Sequence, residues 1–249
     1  MIHFFSRLFE SHLNLLSTLY LNFRVFRLID AIKFPVYVYG RCCLEGLHKG
    51  CIQLSEVKPH VLRIGGGKST YLYGRSKLYK SYFSFSGTWF VGDNVIIDQG
   101  CVISVCDGAR LNFGNNIYIN RKTLIHVKEH VSIGDNTWMG WDCQILDSIF
   151  HFTEHEGIIK RRNGPVSIGQ GVWLSNRVTV LQGSFLPDYS IVAVNSVVNK
   201  DFRDFGQGCL IGGVPAKIVA RDYKRIFCDE NVIDRRFGED KDYIVSNEL

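Results

Sequence analysis

The sequence predicts an all-β solenoid whose short strands wind into triangular coils, and three observations support this fold. An aliphatic residue returns every six positions, as at Ile168, Leu174 and Val180 in the stretch VSIGQGVWLSNRVTVLQG. Helices repeat a buried face about every 3.6 residues and strands every second residue, so six is a longer period. Three hexads make a unit of eighteen residues, and five units fill residues 91–198, four of them opening on VGDN, FGNN, IGDN or IGQG. A repeat of fixed period is typical of solenoids.

Each hexad is expected to supply one flat face and one corner of the triangle. Its first residue is large and apolar and should stack on its equivalents in neighbouring coils, whereas its fifth residue is small or β-branched and should face inward at the corner. We therefore expect Cys101 and Cys143, both in fifth positions, to pack as small apolar residues rather than to serve redox or metal chemistry. The first-position residues are Val91, Ile97, Ile103, Phe113, Ile119, Ile125, Ile133, Met139, Ile145, Ile168, Leu174, Val180, Leu186, Val192 and Val198. The fifth-position residues are Val95, Cys101, Thr123, Thr137, Cys143, Val172, Val178, Ser184, Ser190 and Ser196.

Residues that do not fit the hexads lie between units, so we expect them all at one corner of the solenoid. The longest insertion, residues 147–165 (DSIFHFTEHEGIIKRRNGP), is polar and contains two histidines. Loops that project from a rigid scaffold are where function concentrates, and this insertion is the first candidate. A degenerate earlier coil is predicted within VLRIGGGKSTYLYGRSKLYKSYFSF, with a turn at its glycines.

The two ends of the chain are predicted to differ from the solenoid, which we place at residues 41–214. Residues 1–40 are apolar but interrupted by charged and amide side chains, which predicts amphipathic helices that end before Pro35. No run there approaches the roughly 20 apolar residues that a membrane span needs. We expect this segment to pack on the domain or on a partner subunit, with a membrane surface as the alternative. Residues 215–249 are predicted to form a short capping helix after Pro215 and a solvated tail.

Composition favours a globular protein of the cytoplasm. The 249 residues are 46% hydrophobic and 21% charged, with a net charge of +5. No dense basic stripe interleaved with aromatic residues is present, which disfavours a nucleic acid partner. Eight cysteines occur without a recognisable signal peptide or a zinc-binding spacing, which predicts a reducing compartment and no metal.

Three stretches resemble the hexapeptide-repeat acyltransferases. GVWLSN, VAVNSVVNKD and GGVPAKIVA are similar to that family's VWIG, GAGSVVTKD and GNPAKVI. The resemblance implies a left-handed parallel β-helix and transfer of an acetyl group from acetyl-CoA to a sugar hydroxyl, as in maltose and galactoside acetyltransferases. A leader-like segment before the repeat implies the polysaccharide branch, which acts on capsule, lipopolysaccharide or exopolysaccharide precursors. The family resemblance also implies a homotrimer with coenzyme A between subunits. Apolar residues at outward positions agree with faces that are buried between subunits: Val102, Tyr118, Leu124, Trp138, Trp173 and Ile191.

The same resemblance implies the site residues. His151 matches the family's general base, in a D-x-D-x-H-like motif in which Ile149 replaces the middle carboxylate. His155 is the rival base, or an acceptor contact, if the register differs. Asp147 is expected to orient His151 or to bind the sugar, and Asn120 matches an asparagine that contacts the acceptor.

Coenzyme A is expected along the second half of the repeat. Trp173 should point outward as a binding platform or a subunit contact. Ser175, Asn176, Ala193 and Val194 are expected to line the pantetheine groove, and Asn199, Lys200 and Lys217 to approach the adenosine phosphates, where a compact cation is useful. Ser175 replaces a common glycine and Val194–Asn195 replaces Ala-Gly, substitutions that narrow the groove.

Three alternatives remain at this stage. The acceptor is an antibiotic or an amino sugar in one, and the chain is a non-enzymatic scaffold in another. The third is a γ-carbonic-anhydrase-like zinc protein using His126, His130 and His151. Zinc needs converging histidines, whereas a spacing of four places His126 and His130 on different sides of a corner.

Overall fold

The computed structural model describes residues 13–66, 79–223 and 225–226, and most of its strands form three parallel sheets. Helices α1 (Leu15–Val25) and α2 (Leu28–Ala31) precede them. Sheet I contains β1 (Val36–Val38), β4 (Leu62–Ile64), β7 (Val95–Ile97), β10 (Tyr118–Ile119), β13 (Trp138–Met139), β18 (Trp173–Leu174), β21 (Ile191–Val192), β23 (Leu210–Gly213) and β24 (Ala216–Ala220). Sheet II contains β2 (Cys42–Glu45), β5 (Ser81–Phe85), β8 (Val102–Val105), β11 (Leu124–Val127), β14 (Gln144–Leu146), β19 (Thr179–Leu181) and β22 (Val197–Val198). Sheet III contains β3 (Ile52–Leu54), β6 (Thr88–Val91), β9 (Arg110–Phe113), β12 (His130–Ile133), β17 (Val166–Ile168) and β20 (Phe185–Leu186).

Successive strands pass from sheet I to II to III and back, so three strands make one rung of a parallel β-helix. The predicted register is confirmed: Ile103, Ile125, Ile145, Val180 and Val198 align as direct partners on sheet II. Every first- and fifth-position residue named above is buried, which confirms the triangular core. The degenerate coil is confirmed in β4, β5 and β6, and a still earlier rung of β1, β2 and β3 precedes it.

The corners explain the recurring glycine and asparagine of the repeat. Asn94, Asn116 and Asn136 occupy equivalent places between sheets III and I with φ near 55°, 55° and 57°, a left-handed conformation that asparagine tolerates. Their amides hydrogen-bond from rung to rung at 3.1 Å. At Gly134, a Cβ atom would lie 2.5 Å from the backbone nitrogen of Gln170 in the next rung, so only glycine allows this approach.

The fifth-position cysteines are corner residues, as predicted. Cys101 and Cys143 are fully buried, and the Cys143 thiol donates a hydrogen bond to the carbonyl of Ser175 at 3.1 Å. Burial raises the pKa of Cys143 to about 11, because a thiolate is poorly solvated there. Both side chains therefore fill space in the core.

Helix α1 covers the first edge of sheet I. The Asn22 side chain donates to the carbonyl of Val36 at 2.7 Å and accepts from its N–H at 3.2 Å. The Thr18 hydroxyl accepts from the N–H of Val38 at 3.0 Å. The helix thus satisfies an edge that would otherwise invite pairing with another strand. The strands begin at Val36, after the predicted helices and five residues before the predicted start of the solenoid at residue 41.

The last edge of sheet I is closed by a strand where the sequence predicted a helix. Residues after Pro215 form β24, which pairs antiparallel with β23, and the expectation of a capping helix over 216–220 is wrong. The β-branched Ile218 and Val219 favour a strand, and pairing satisfies backbone groups of β23 that a helix would leave open. The rest of the expected tail, from residue 227, lies outside the described residues. Within the described ranges, α1 and α2 are both too short to cross a bilayer.

Candidate active site

The long insertion forms an arm at the corner between sheets II and III. It leaves after β14, returns at β17, and carries a small antiparallel hairpin of β15 (Thr153–His155) and β16 (Ile158–Lys160). Its base is a short ladder in which the N–H of Ile149 donates to the Arg162 carbonyl and that of Gly164 to the Asp147 carbonyl, both at 2.9 Å. The ladder holds the arm to the scaffold.

Asp147 anchors this base and is not accessible to a ligand. Its carboxylate is fully buried and accepts hydrogen bonds from the backbone N–H groups of Lys128, Glu129 and His130 at 2.7, 2.7 and 2.9 Å. Those donors form the turn between β11 and β12, one rung earlier. The structure therefore corrects the expected contact between Asp147 and a sugar: this carboxylate joins the arm to the preceding rung.

His151 stands exposed immediately after a strained turn. Its N–H donates to the carbonyl of Ile149 at 2.7 Å, and Phe150 between them has φ of 64°. A three-residue turn with positive φ is rare, and such a conformation costs a bulky residue about 1–3 kcal/mol. The N–H of Phe150 donates to the Ser148 hydroxyl at 3.0 Å, which helps to hold the turn.

The Phe150 ring packs on His126, a residue whose place beside the arm the hexads did not predict. The ring centroids are 5.0 Å apart with an interplanar angle of 41°. His126 lies on the outer face of β11, and its Nε2 is 4.0 Å from the Cys106 sulfur. Desolvation lowers the pKa of His126 and Lys128 adds to the effect, while Asp147 opposes it. The imidazole is therefore neutral near neutral pH.

His155 lies further out on the arm, in β15. Its Nδ1 is 3.8 Å from a Glu156 carboxylate oxygen, and both side chains are exposed. The structure thus presents two solvent-accessible imidazoles on one arm. Only that of His151 follows the strained turn at the base.

The residues expected to line the pantetheine groove meet at the corner between sheets I and II. Ser175 and Asn176 follow β18, and Ala193 and Val194 follow β21 on the next rung. The N–H of Ser175 donates to the Val192 carbonyl at 2.9 Å, which fixes the spacing between the two rungs. Asn176 also serves the stack, because its side-chain oxygen accepts from the N–H of Trp141 at 3.2 Å. Asn120 occupies the same corner on an earlier rung.

The residues expected near the adenosine phosphates do not lie together. Lys217 on β24 is the register partner of Gly212 on β23. A Cβ added to Gly212 would lie 3.2 Å from the Cβ of Ala193, so Lys217 lies close to the corner between sheets I and II that carries Ala193. Asn199 and Lys200 follow β22, at the corner between sheets II and III, and the Lys200 amine lies 5.0 Å from the Phe202 ring centroid.

Trp173 faces outward from sheet I, as predicted, directly beside Trp138. The Arg225 guanidinium lies 3.8 Å from the Trp138 ring centroid and 5.7 Å from that of Trp173. The outward rings of Trp138 and Trp173 are thus partly covered by the segment that follows β24.

Within one chain, the histidines of the zinc alternative do not converge. His126 is on sheet II and His130 on sheet III, where its Nε2 is 3.1 Å from the Asn112 amide nitrogen. Among the residues that the structure describes, no three His, Cys, Asp or Glu side chains are grouped so that they would hold a metal ion.

Comparison with known proteins adds sequence relatives, although no protein-family model matches the chain. An uncharacterized 24.8 kDa protein in the cps region of Klebsiella pneumoniae is 30% identical over 141 residues, covering 57% of this chain and 62% of the relative. Galactoside O-acetyltransferase of Escherichia coli K12 is 28% identical over 150 residues, covering 58% and 67%. The chain therefore spans slightly less than two thirds of the first relative and about two thirds of the second.

Solved structures of acetyltransferases are also similar. The polySia-specific acetyltransferase NeuO is 18% identical, with a TM-score of 0.45 over 78% of this chain and 90% of that one. A hexapeptide-repeat-containing acetyltransferase from Vibrio cholerae is 25% identical, with a TM-score of 0.35 over 49% and 64%. These relatives agree with the resemblance drawn from GVWLSN, VAVNSVVNKD and GGVPAKIVA: the chain folds as a solenoid of hexad repeats and is similar in sequence to galactoside and lipopolysaccharide O-acetyltransferases.

Proposed function

We propose that the protein transfers the acetyl group of acetyl-CoA to a sugar hydroxyl of a cell-surface polysaccharide or its precursor, with His151 as general base. The observation that carries this proposal is the exposed imidazole at the anchored base of the arm, in a chain similar in sequence to galactoside O-acetyltransferase. Asp147 and the strained turn at Phe150 support it, because they fix where the imidazole stands.

Acetyl transfer from the thioester to a hydroxyl requires one group that accepts and then returns a proton. The neutral His151 imidazole takes the proton of the acceptor hydroxyl as its oxygen attacks the thioester carbonyl carbon. The tetrahedral intermediate collapses, the C–S bond breaks, and the imidazolium returns the proton to the coenzyme A thiolate. Such general base catalysis contributes roughly 10²–10⁴ in rate, and histidine suits it because its ordinary pKa is near neutrality. No covalent intermediate is needed, which leaves Cys143 to its packing role.

Each active site is proposed to form between two subunits of a homotrimer. His151 is at the corner between sheets II and III, whereas Asn120 and the pantetheine residues are at the corner between sheets I and II. Sheet II separates these corners within one chain. A neighbouring subunit that brings its own corner to the first would place the thioester and the imidazole together, and half-buried outward residues such as Val102 and Leu124 on sheet II would be covered.

An acceptor screen with acetyl-CoA, read by mass for the gain of one acetyl group and by thiol release, tests the activity. Sugar hydroxyls should be acetylated, and amino sugars and antibiotics belong in the panel because the alternative acceptors are of those classes. His151→Ala should abolish transfer while the fold, followed by circular dichroism, is retained. His155→Ala is the matched control on the same arm and should remain active. Transfer by neither wild type nor variant, in a folded protein, would favour the scaffold alternative.

We further propose that the protein works in the cytoplasm, where acetyl-CoA is supplied, and rests on the membrane through α1 and α2. Their exposed surface is apolar, with Leu16 80% and Leu28 69% exposed. The segment also carries Arg24, Arg27 and Lys33 against one carboxylate, that of Asp30, which pairs with Arg27 at 3.4 Å. A basic apolar surface suits anionic lipid. The exposed apolar side chains are those of Leu13, Leu15, Leu16, Tyr20, Phe23, Leu28, Ile29 and Ile32.

Cosedimentation with vesicles of anionic and of neutral lipid tests the membrane contact. Binding should require anionic lipid and be lost in Leu16→Glu, whereas Val219→Glu, an exposed site at the other end of the solenoid, should bind normally. A Leu16→Glu protein that changes its oligomeric state but binds vesicles as before would assign this surface to a second copy of the chain.

A further inference from the structure

We propose that the Phe150 ring is the apolar surface, here called the floor, on which the sugar ring of the acceptor packs beside His151. The His126 ring packs on the opposite side of Phe150 and holds this surface in place. The inference deepens the proposed function and rests on it. It assigns acceptor recognition to one aromatic side chain.

The backbone at Phe150 is the first reason. Residues with a left-handed backbone recur at the corners of successive rungs, and bulky ones are among them, such as Arg177 at φ of 57° and Tyr189 at φ of 58°. Phe150 differs because it lies in the arm rather than in a rung, and it holds φ of 64° with a side chain that disfavours this conformation. Strained residues cluster at functional sites. The turn places the aromatic ring and the His151 imidazole on adjacent residues.

The packing of the ring is the second reason. One side of Phe150 meets the half-buried His126 at a centroid distance of 5.0 Å, yet 44% of the residue remains exposed. A supported ring with a free surface is a pre-formed platform. The sugar ring has a face of C–H groups that packs well on such a surface, and binding sites for small ligands are commonly lined in this way.

The anchoring of the arm is the third reason. The three N–H bonds to Asp147 and the bond from the Phe150 N–H to the Ser148 hydroxyl anchor the base of the arm that carries the Phe150 ring. Phe152, two residues on, provides the contrast. It is 66% exposed, and the Arg162 guanidinium lies 4.6 Å from its ring centroid, so a cation already occupies one of its faces.

Kinetics of Phe150→Asn test the proposal in the full chain, with acetyl-CoA and the best acceptor of the screen. Asparagine tolerates a left-handed backbone, so this variant keeps the turn and removes only the ring. The acceptor KM should rise about tenfold, while kcat and the KM for acetyl-CoA stay within about twofold of wild type. Phe150→Tyr should restore the acceptor KM, and Phe152→Ala should leave it unchanged.

The outcomes separate this inference from the proposed function. If the wild type transfers acetyl groups and Phe150→Asn has an unchanged acceptor KM, the proposed role of Phe150 in acceptor binding is wrong, while the proposed acetyltransferase activity stands. A fall in kcat alone, unrescued by Phe150→Tyr, would also overturn it, because it would show a role in placing His151. His126→Ala should raise the acceptor KM in the same direction as Phe150→Asn, and His126→Phe should not. Absence of transfer by the wild type would contradict the proposed function itself.

Discussion

Replacing Asp147 by asparagine removes the charge that joins the arm to the rung before it. The carboxylate accepts three backbone N–H bonds, from Lys128 at 2.7 Å, Glu129 at 2.7 Å and His130 at 2.9 Å. The asparagine amide keeps one oxygen, which still accepts from Glu129 and His130, but its NH₂ group faces the N–H of Lys128. Each hydrogen bond to a charged group contributes about 1.5–3 kcal/mol net, so losing this one costs about 2 kcal/mol.

Thermal unfolding measures this loss directly. For a chain of this size each kcal/mol moves Tm by about 2–4 °C, so Asp147→Asn should unfold roughly 4–8 °C earlier than wild type. The matched control is Asp142→Asn, at a half-buried corner of the same rung where the backbone already has φ of 58°, a value that asparagine accepts. It should change Tm by little. If both variants unfold at the wild-type temperature, the anchoring role of Asp147 is refuted.

Three further predictions follow from buried groups and close backbone approaches. Because burial raises the pKa of Cys143 to about 11, iodoacetamide should label this thiol only after unfolding. Rapid labelling of Cys143 in the native protein, located by peptide mass spectrometry, would contradict this. The lowered pKa of His126 means that folded protein binds protons less readily than unfolded protein, so this group reduces stability as pH falls below about 6.5. NMR titration should place its midpoint below that value, and His126→Gln should remove this part of the pH dependence. Gly134→Ala would put a Cβ 2.5 Å from the Gln170 backbone nitrogen, and should cost about 1–3 kcal/mol in denaturant unfolding, an effect that an unshifted midpoint would disprove.

The hexad period was sufficient to predict the rungs because each position repeats the same environment. Ile125, for example, contacts Ile103 on one side and Ile145 on the other, and its burial follows from its place in the hexad. The corners were predictable for the same reason. Local chemistry and global fold agree in such repeats.

The structures of the two ends and of the arm were harder to predict because their sequences do not follow the hexad repeat. The segment around Ile218 was predicted to be a helix, but its β-branched residues and the otherwise unpaired edge of β23 favour the strand β24. Asp147 was recognised as a site residue from its motif, but its three backbone partners lie a full rung away in sequence. The contact between Phe150 and His126, twenty-four residues apart, depends on stacking of rungs and has no local signal.

Mixing of two inactive variants tests the central claim most directly, namely that His151 of one subunit acts on acetyl-CoA held at the groove corner of another. His151→Ala lacks the base, and Val194→Trp, at a side chain 55% exposed, blocks the groove without disturbing the core. Each alone should release no coenzyme A. Co-refolded in equal amounts, the two should regain activity at about a quarter of the sites, those that combine the intact corners of both chains. A mixture that stays inactive, or a His151→Ala protein that turns over like wild type, would contradict the account.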